Sequence, residues 1–403
     1  MRSPRTLTVS VILLSQFVAA LSALGMPPFF ALFLKKSYGS ESLVWGIPLA
    51  GILFVVPTFF SGITSPYWGK MADRYGKKRL LLRAQLGLAL SFLVAGYAKT
   101  PFQFFLALLA QGLLGGTFSA SKAYLATLLK GDLLAQGLTG MEASARAALV
   151  LGPFLVGYFI DSSSPVEIYR YLALLPLFSA AMTAFLPNDF SGKENVLPDT
   201  TLRHAPSHPE IATNILITPQ LVMTLQFVFG MSAVMISPYF NLAVSQRFSS
   251  LSHGQLGLIF GLPHLTYLAC AAPLTKILDR SHLFKALIGA FALQAAAVLG
   301  QGQAQSLPVL ISYRFLSGIS MTVFFISIHL MITQFATAKN SGGLFGRLEG
   351  SVRLSNVLGG LIASVVLSVF GMRALFGLSS VPLAMISVYL CYLAVSQRKE
   401  ILT

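Results

Sequence analysis

Apolar residues in this chain come in long uninterrupted runs, without the period-2 alternation of a half-buried strand or the narrow stripe of a surface helix. A run of about 20 residues is long enough to cross a hydrocarbon core of roughly 30 Å as helix, and a helix satisfies its own backbone hydrogen bonds inside lipid. The runs predict spans at 7–34, 44–65, 80–98, 102–128, 137–160 and 168–187, then 219–243, 254–275, 284–303, 307–333, 345–370 and 374–395. The first run continues through Met26-Pro27-Pro28-Phe29-Phe30 to Leu34, too long for the core of a secretory signal, so it reads as a retained span. Continuous runs exclude a membrane barrel. The fold class expected is an all-α membrane protein.

The pattern repeats once, at an offset of about 207 residues. Gln16-Phe17-Val18, Ser22-Ala23, Pro28 and Phe30 are answered by Gln226-Phe227-Val228, Ser232-Ala233, Pro238 and Phe240. Lys70-x-x-Asp73-Arg74 returns as Lys276-x-x-Asp279-Arg280. Glu142-x-Ser144-x-Arg146 returns as Glu349-x-Ser351-x-Arg353, each followed six residues on by a glycine, Gly152 and Gly359. The twelve spans therefore divide into two pseudo-symmetric six-helix bundles, residues 1–187 and 219–403, joined by a polar linker over 188–218. An even number of spans per half makes the bundles parallel repeats, and the substrate site of such proteins lies near the midplane between them.

Composition supports the membrane assignment: the chain of 403 residues is 55% hydrophobic and only 10% charged, against roughly 25% charged in a soluble domain. Charge then sets the orientation. Lys and Arg crowd the segments that share a side with the N-terminus, among them Arg2, Arg5, Lys70, Lys77, Lys78, Arg79, Lys130, Lys193, Lys276, Lys285, Lys339 and Lys399, while the opposite loops hold Lys35, Lys36, Lys99, Arg170, Arg247 and Arg373. Both termini are expected in the cytoplasm. The net charge of +15 is a topology signal and not a nucleic-acid footprint. Two cysteines inside spans, Cys270 and Cys391, and six scattered histidines predict neither disulfide, metal site nor cofactor.

Gly69-Lys70-Met71-Ala72-Asp73-Arg74-Tyr75-Gly76-Lys77-Lys78 resembles the signature loop of the major facilitator superfamily, Gly-x-x-x-Asp-Arg-x-Gly-Arg/Lys-Arg/Lys, at every position. Glycines permit a tight turn there, and Asp73 can pair with basic groups and helix ends to latch one conformation. Ala148-x-x-x-Gly152-Pro153-x-x-Val156-Gly157 resembles the antiporter signature of the drug and proton antiporter branch, which includes siderophore exporters, with Ala148 and Val156 departing from it. A third signature, Arg-x-x-Gln-Gly in span 4, is incomplete: Gln111-Gly112 stand with Leu108 at the Arg position, and Arg314-x-x-Ser317-Gly318 occupies the corresponding place in span 10. The resemblance implies a transporter, with Gly69, Asp73, Arg74, Gly76, Lys77, Lys78, Asp279, Arg280, Gly152, Pro153 and Gly157 as gating residues.

Ionisable groups at bilayer depth are costly and point to function. Arg146 lies near the midplane with Glu142 one turn away on the same face, and Glu349 with Arg353 repeats the spacing. With Arg314, Gln16 and Gln226, these are the residues expected to bind substrate or couple it to protons. Lys122 and His329 also correspond, but their depth predicts snorkelling to the interface. Three deep arginines against two glutamates suit an organic anion. The reading is a proton-coupled secondary exporter of a small organic anion, such as a carboxylate siderophore, in a bacterial inner membrane. Its partners are substrate, protons and the bilayer, and the protein acts as a monomer. A broad drug exporter and an importer of a similar anion are the alternatives. Neither a zinc-protease motif, a nucleotide loop nor a nucleophile motif supports an enzyme, and no soluble output domain supports a sensor.

Overall fold

The computed structural model describes residues 4–38, 43–129, 131–162, 165–188, 218–278, 282–333, 335 and 341–402. The chain is a bundle of about twelve membrane crossings. The first is α1 (Pro4–Gly25), a 3-10 turn at Pro27–Phe29 and α2 (Phe30–Tyr38). Next come α3 (Leu43–Tyr75), α4 (Lys77–Ala95), a divided crossing α5 (Pro101–Leu114) and α6 (Thr117–Leu128), α7 (Gly131–Ser162), and a second divided one, α8 (Pro165–Leu172) and α9 (Leu174–Ala184). The later six are α10 (Pro219–Ile236) with α11 (Phe240–Arg247), α12 (His253–Ile277), α13 (Leu283–Gln303), α14 (Leu307–Thr333) and the two arms of α15 (Ser341–Leu402). Gly371, at φ 78°, separates those arms, so a turn of almost no length joins the last two crossings.

Among the described residues, nine helical stretches are long and apolar enough to span a membrane, one of them the 50-residue Arg347–Ser396 that holds two crossings. With α4 and the α8–α9 pair this makes the expected twelve. The interior linker lies mostly at 189–217, outside the described residues, as do Asp279 and Arg280.

The interruptions have local causes. Proline lacks the amide that would continue the hydrogen-bond ladder, so Pro27-Pro28 and Pro238 break the first and seventh crossings at equivalent depths. In the fourth crossing the break is made by Gly115-Gly116, Gly116 having φ 95°. The carbonyls freed there are capped from neighbouring helices: Trp68 Nε1 donates to Leu113 O at 2.8 Å and Arg83 to Leu114 O at 2.7 Å, with the Arg83 guanidinium 3.3 Å from the Trp68 ring centroid. A buried net of Ser15, Gln85, Ser179 and Thr183 ties α1, α4 and α9 together.

The signature segment differs from the expected loop. Helix α3 runs on to Tyr75, so Gly69 and Asp73 are helical, and the turn is made by Gly76 alone, at φ 98°. One residue able to adopt a positive φ is enough to reverse the chain between two helices. Asp73, with 73% of its side chain exposed, pairs with Lys77 four residues on. Lys78 donates to the carbonyls of Ala184 at 2.9 Å and Leu186 at 2.5 Å, which caps the end of α9.

Candidate functional site

Two antiparallel seams join the first six crossings to the last six. In one, α7 lies along α12. From the end remote from the termini inward, Asp161 pairs with His253 through its carboxylate and the imidazole Nδ1, Gly157 abuts the His253 carbonyl, Gly257 abuts that of Pro153, and Gly261 packs on Val150. In the other, α3 lies along α15: Gly51 meets Gly360 and Ser364, and Gly360 meets Val55. Tyr239, placed by the Pro238 break, accepts from Gly51 N at 2.8 Å and donates to Pro48 O at 2.9 Å. Glycine at these contacts lets the helix backbones approach within lipid. Gly152 faces the other way, onto Gly25 of α1. Gly157 and Pro153 of the antiporter-like motif thus form part of the seam itself.

Each seam ends on an arginine. Arg146 of α7 reaches across to α12 and α14. Its guanidinium lies 4.7 Å from the Tyr267 ring centroid and 4.5 Å from that of Phe325, and Nη1 is 3.3 Å from His264 Nδ1 and 3.5 Å from Met321 Sδ. Arginine can only donate, so Nδ1 of His264 accepts and the imidazole is neutral, with its proton on Nε2, while this contact lasts. Arg353 of α15 donates from Nη1 to Ser61 O of α3 at 3.3 Å. The two residues are equivalent in the repeat, and each bridges to the opposite half.

The glutamates behave differently from each other. Glu349 stays with Arg353, 3.6 Å from its Nε. The expected Glu142–Arg146 ion pair is replaced: Glu142 Oε1 accepts from Lys122 Nζ of α6 at 2.8 Å. Arg146 lies one turn on with its head drawn into the aromatic pair of the other half, leaving the carboxylate to the nearer ammonium. Snorkelling is therefore not what Lys122 does; its Nζ lies over the Phe118 ring, 4.2 Å from the centroid, and pairs with Glu142. His329, the repeat equivalent of Lys122, stacks on Phe325 at 6.3 Å and lies within electrostatic range of Glu142, Arg146 and Lys122. The cluster Lys122–Glu142–Arg146–His264–His329 thus draws on α6, α7, α12 and α14.

Arg314 does not join it. Its side chain is 8% exposed and donates Nε to Ile259 O at 3.1 Å, Nη2 to Phe260 O, and Nη1 to Gln301 Oε1 at 3.3 Å, with the Phe240 ring centroid 4.2 Å from its guanidinium carbon. The cause is Pro263. An α-helical carbonyl at Ile259 needs the amide of residue 263, which proline lacks, and Arg314 supplies the missing donor. Gln16 is likewise a helix tie, its Oε1 accepting from Ser121 at 3.0 Å. Gln226 is buried in α10. Arg314→Met should strand the Ile259 carbonyl, a loss of about 1–3 kcal/mol, and lower the melting temperature of the purified protein. An unchanged melting temperature would mean that the kink does not need this cap.

The comparisons agree with this architecture. The family described as Major Facilitator Superfamily matches residues 12–251 and again 222–401. Multidrug resistance protein MdtG of Salmonella typhi is 27% identical over 336 residues, covering 81% of this chain and 80% of its own, and that of Salmonella typhimurium is equally similar. Among solved structures, the nucleoside transporter NupG superposes with a TM-score of 0.74 at 11% identity, covering 96% of this chain and 99% of that one. A bacterial homologue of the human lysosomal transporter Spinster, in an inward-facing and occupied conformation, gives 0.74 at 10% identity over 98% and 97%. The human organic anion transporter MFSD10 gives 0.68 at 19% identity over 96% and 100%.

Proposed function

This chain belongs to the Major Facilitator Superfamily, and from that premise we propose that it is a proton-driven exporter of amphipathic organic molecules, neutral or cationic, from the bacterial cytoplasm. Membership makes it a multi-pass secondary transporter and not an enzyme. The observation that carries the finer reading is Glu142, a carboxylate held by Lys122 one turn from the arginine that docks between Tyr267 and Phe325 of the other half. With the termini in the cytoplasm, the zipped ends of the seams face outward, and the cluster lies on their cytoplasmic side.

Thermodynamic reciprocity narrows the substrate. Export in exchange for protons requires that proton and substrate weaken each other's binding. Protonating Glu142 removes a negative charge, which disfavours a cationic amphiphile and favours an anion. A cation or a neutral hydrogen-bond donor on Glu142, its apolar body against Tyr267 and Phe325, therefore fits antiport, whereas a proton-driven exporter of an anion does not follow from this site. The similarity to a multidrug resistance protein points the same way. The siderophore reading has only the basic charge behind it and gives way.

One observation favours a second reading. Lys122, Arg146 and Arg353 outnumber Glu142 and Glu349 at the centre, and an anion drawn to them together with a proton would be imported. The test is expression in a bacterial strain stripped of its own efflux pumps. Raised tolerance to several structurally unrelated lipophilic cations, abolished by a protonophore, is the expected result. Unchanged tolerance, with proton-dependent uptake of an organic anion, would overturn export in favour of import.

A further inference from the structure

Arg247 and Arg373 are two of the few basic residues on the side remote from the termini, and the fold brings them to one crevice. The end of α11, the α13–α14 connection and the turn at Gly371 enclose a cavity of about 590 Å³, lined by Arg247, Gln303, Gln305, Arg373 and Phe376 among others. A second lobe of about 350 Å³ shares Arg247, Arg373 and Phe376. Among the described residues, no Asp or Glu lines either lobe, and no residue of the two seams contributes.

Two guanidinium groups line it, and a third donor lies beyond its wall. The Arg247 guanidinium is fixed by bonds to the carbonyls of Gln301 at 3.2 Å, Ala304 at 2.9 Å and Gly302 at 2.7 Å, which cap α13 and leave two of its five N–H groups over. Arg373 follows the Gly371 turn by two residues and makes no ion pair among the described residues. Below them a narrow pocket, again lined by Arg247 and Phe376, reaches Gln301. That side chain is 3% exposed, its Oε1 is taken by Arg314, and its Nε2 is buried without a partner. A crevice lined by two guanidinium groups, with a buried N–H lacking an acceptor beyond its wall, calls for an oxyanion.

The surroundings say which kind. Leu299, in the wall, and Val369, Phe370 and Leu378, beside the turn, are exposed apolar side chains that suit acyl chains. Arg373 follows the turn between the last two crossings, where basic residues meet lipid headgroups. We propose that this crevice binds the phosphate of an anionic phospholipid of the outer leaflet, at a site separate from the transport pathway. Arg247, which lines the crevice, bonds the Gln301 carbonyl, and the Gln301 side chain accepts from Arg314, which caps the Ile259 carbonyl at the Pro263 kink of α12, one residue from His264.

Native mass spectrometry of the purified full-length protein tests this, with dioleoyl phosphatidylglycerol, dioleoyl phosphatidylcholine and inorganic phosphate as probes. Phosphatidylglycerol should be retained in preference to phosphatidylcholine, and an excess of inorganic phosphate should not displace it. Arg373→Gln should weaken retention about ten-fold, the value of a hydrogen bond to a charged group. Arg373→Glu should abolish it and Arg373→Lys should preserve most of it. Arg373 is exposed and caps no helix, so these variants fold. Equal retention by the Arg373→Glu protein would overturn the site, and displacement by inorganic phosphate would overturn its assignment to lipid.

Discussion

Replacing Arg146 by methionine is expected to leave a folded, inserted protein that has lost transport and has opened on the side remote from the termini. The side chain belongs to α7 but every contact of its head, with Tyr267, Phe325, His264 and Met321, is made to the other half. Such contacts exist only in conformations where the α7–α12 seam is closed, so they bias the equilibrium between states. Two part-buried cation–π contacts amount together to about 2–3 kcal/mol. Removing them shifts the population about 30- to 150-fold away from the closed seam. Methionine fills the aromatic gap without a buried charge, and the loss is therefore conformational and not a failure to fold. Lysine should not rescue, because an ammonium cannot lie flat between two rings. Labelling a cysteine placed at His253 with a membrane-impermeant thiol reagent measures the opening: reactivity from outside should rise steeply in the Arg146→Met background. Full transport and unchanged reactivity would show that Arg146 is only a packing group.

The second large effect is expected at Glu142. Glu142→Gln keeps the size and hydrogen-bonding capacity of the side chain but removes the group that exchanges a proton for substrate, while Lys122 loses its ion-pair partner. Downhill movement of substrate should persist. Concentrative export against a gradient should fall to background, because nothing then links proton entry to substrate exit. Parallel assays in everted membrane vesicles, with and without an imposed proton gradient, separate the two. Glu349→Gln serves as the control within the repeat: its side chain is exposed and paired along its own helix with Arg353. Uphill export that survives in Glu142→Gln and vanishes in Glu349→Gln would move the coupling site to the second half.

Much of this was legible in the chain. Span existence follows from the length of apolar runs, and the helices reproduce them, down to the prolines that interrupt the first and seventh crossings. The repeat marked Arg146 and Arg353 as equivalent and deep, and each proves to end a seam. What could not be read was direction. A sequence gives the depth of Lys122 but not the distance between the fourth and fifth crossings, so depth alone predicts snorkelling where the side chain pairs with Glu142. Likewise nothing in the Glu142-x-x-x-Arg146 spacing reveals that an aromatic pair on α12 and α14 competes for the guanidinium. Arg314 was readable in principle: Pro263 leaves the Ile259 carbonyl without its amide, and a buried donor on a neighbouring span was needed. His264 and His329 carried a weaker signal, the pairing of His329 with Lys122 in the repeat.

The central claim is that proton and substrate oppose each other at Glu142, and the affinity of the purified protein for a transported cation, measured across pH, tests it most directly. Displacement of one proton per substrate makes binding weaken as pH falls, by at most about ten-fold per unit, and the slope should vanish in Glu142→Gln. Binding that tightens as pH falls, or a slope that survives the substitution, would contradict the account.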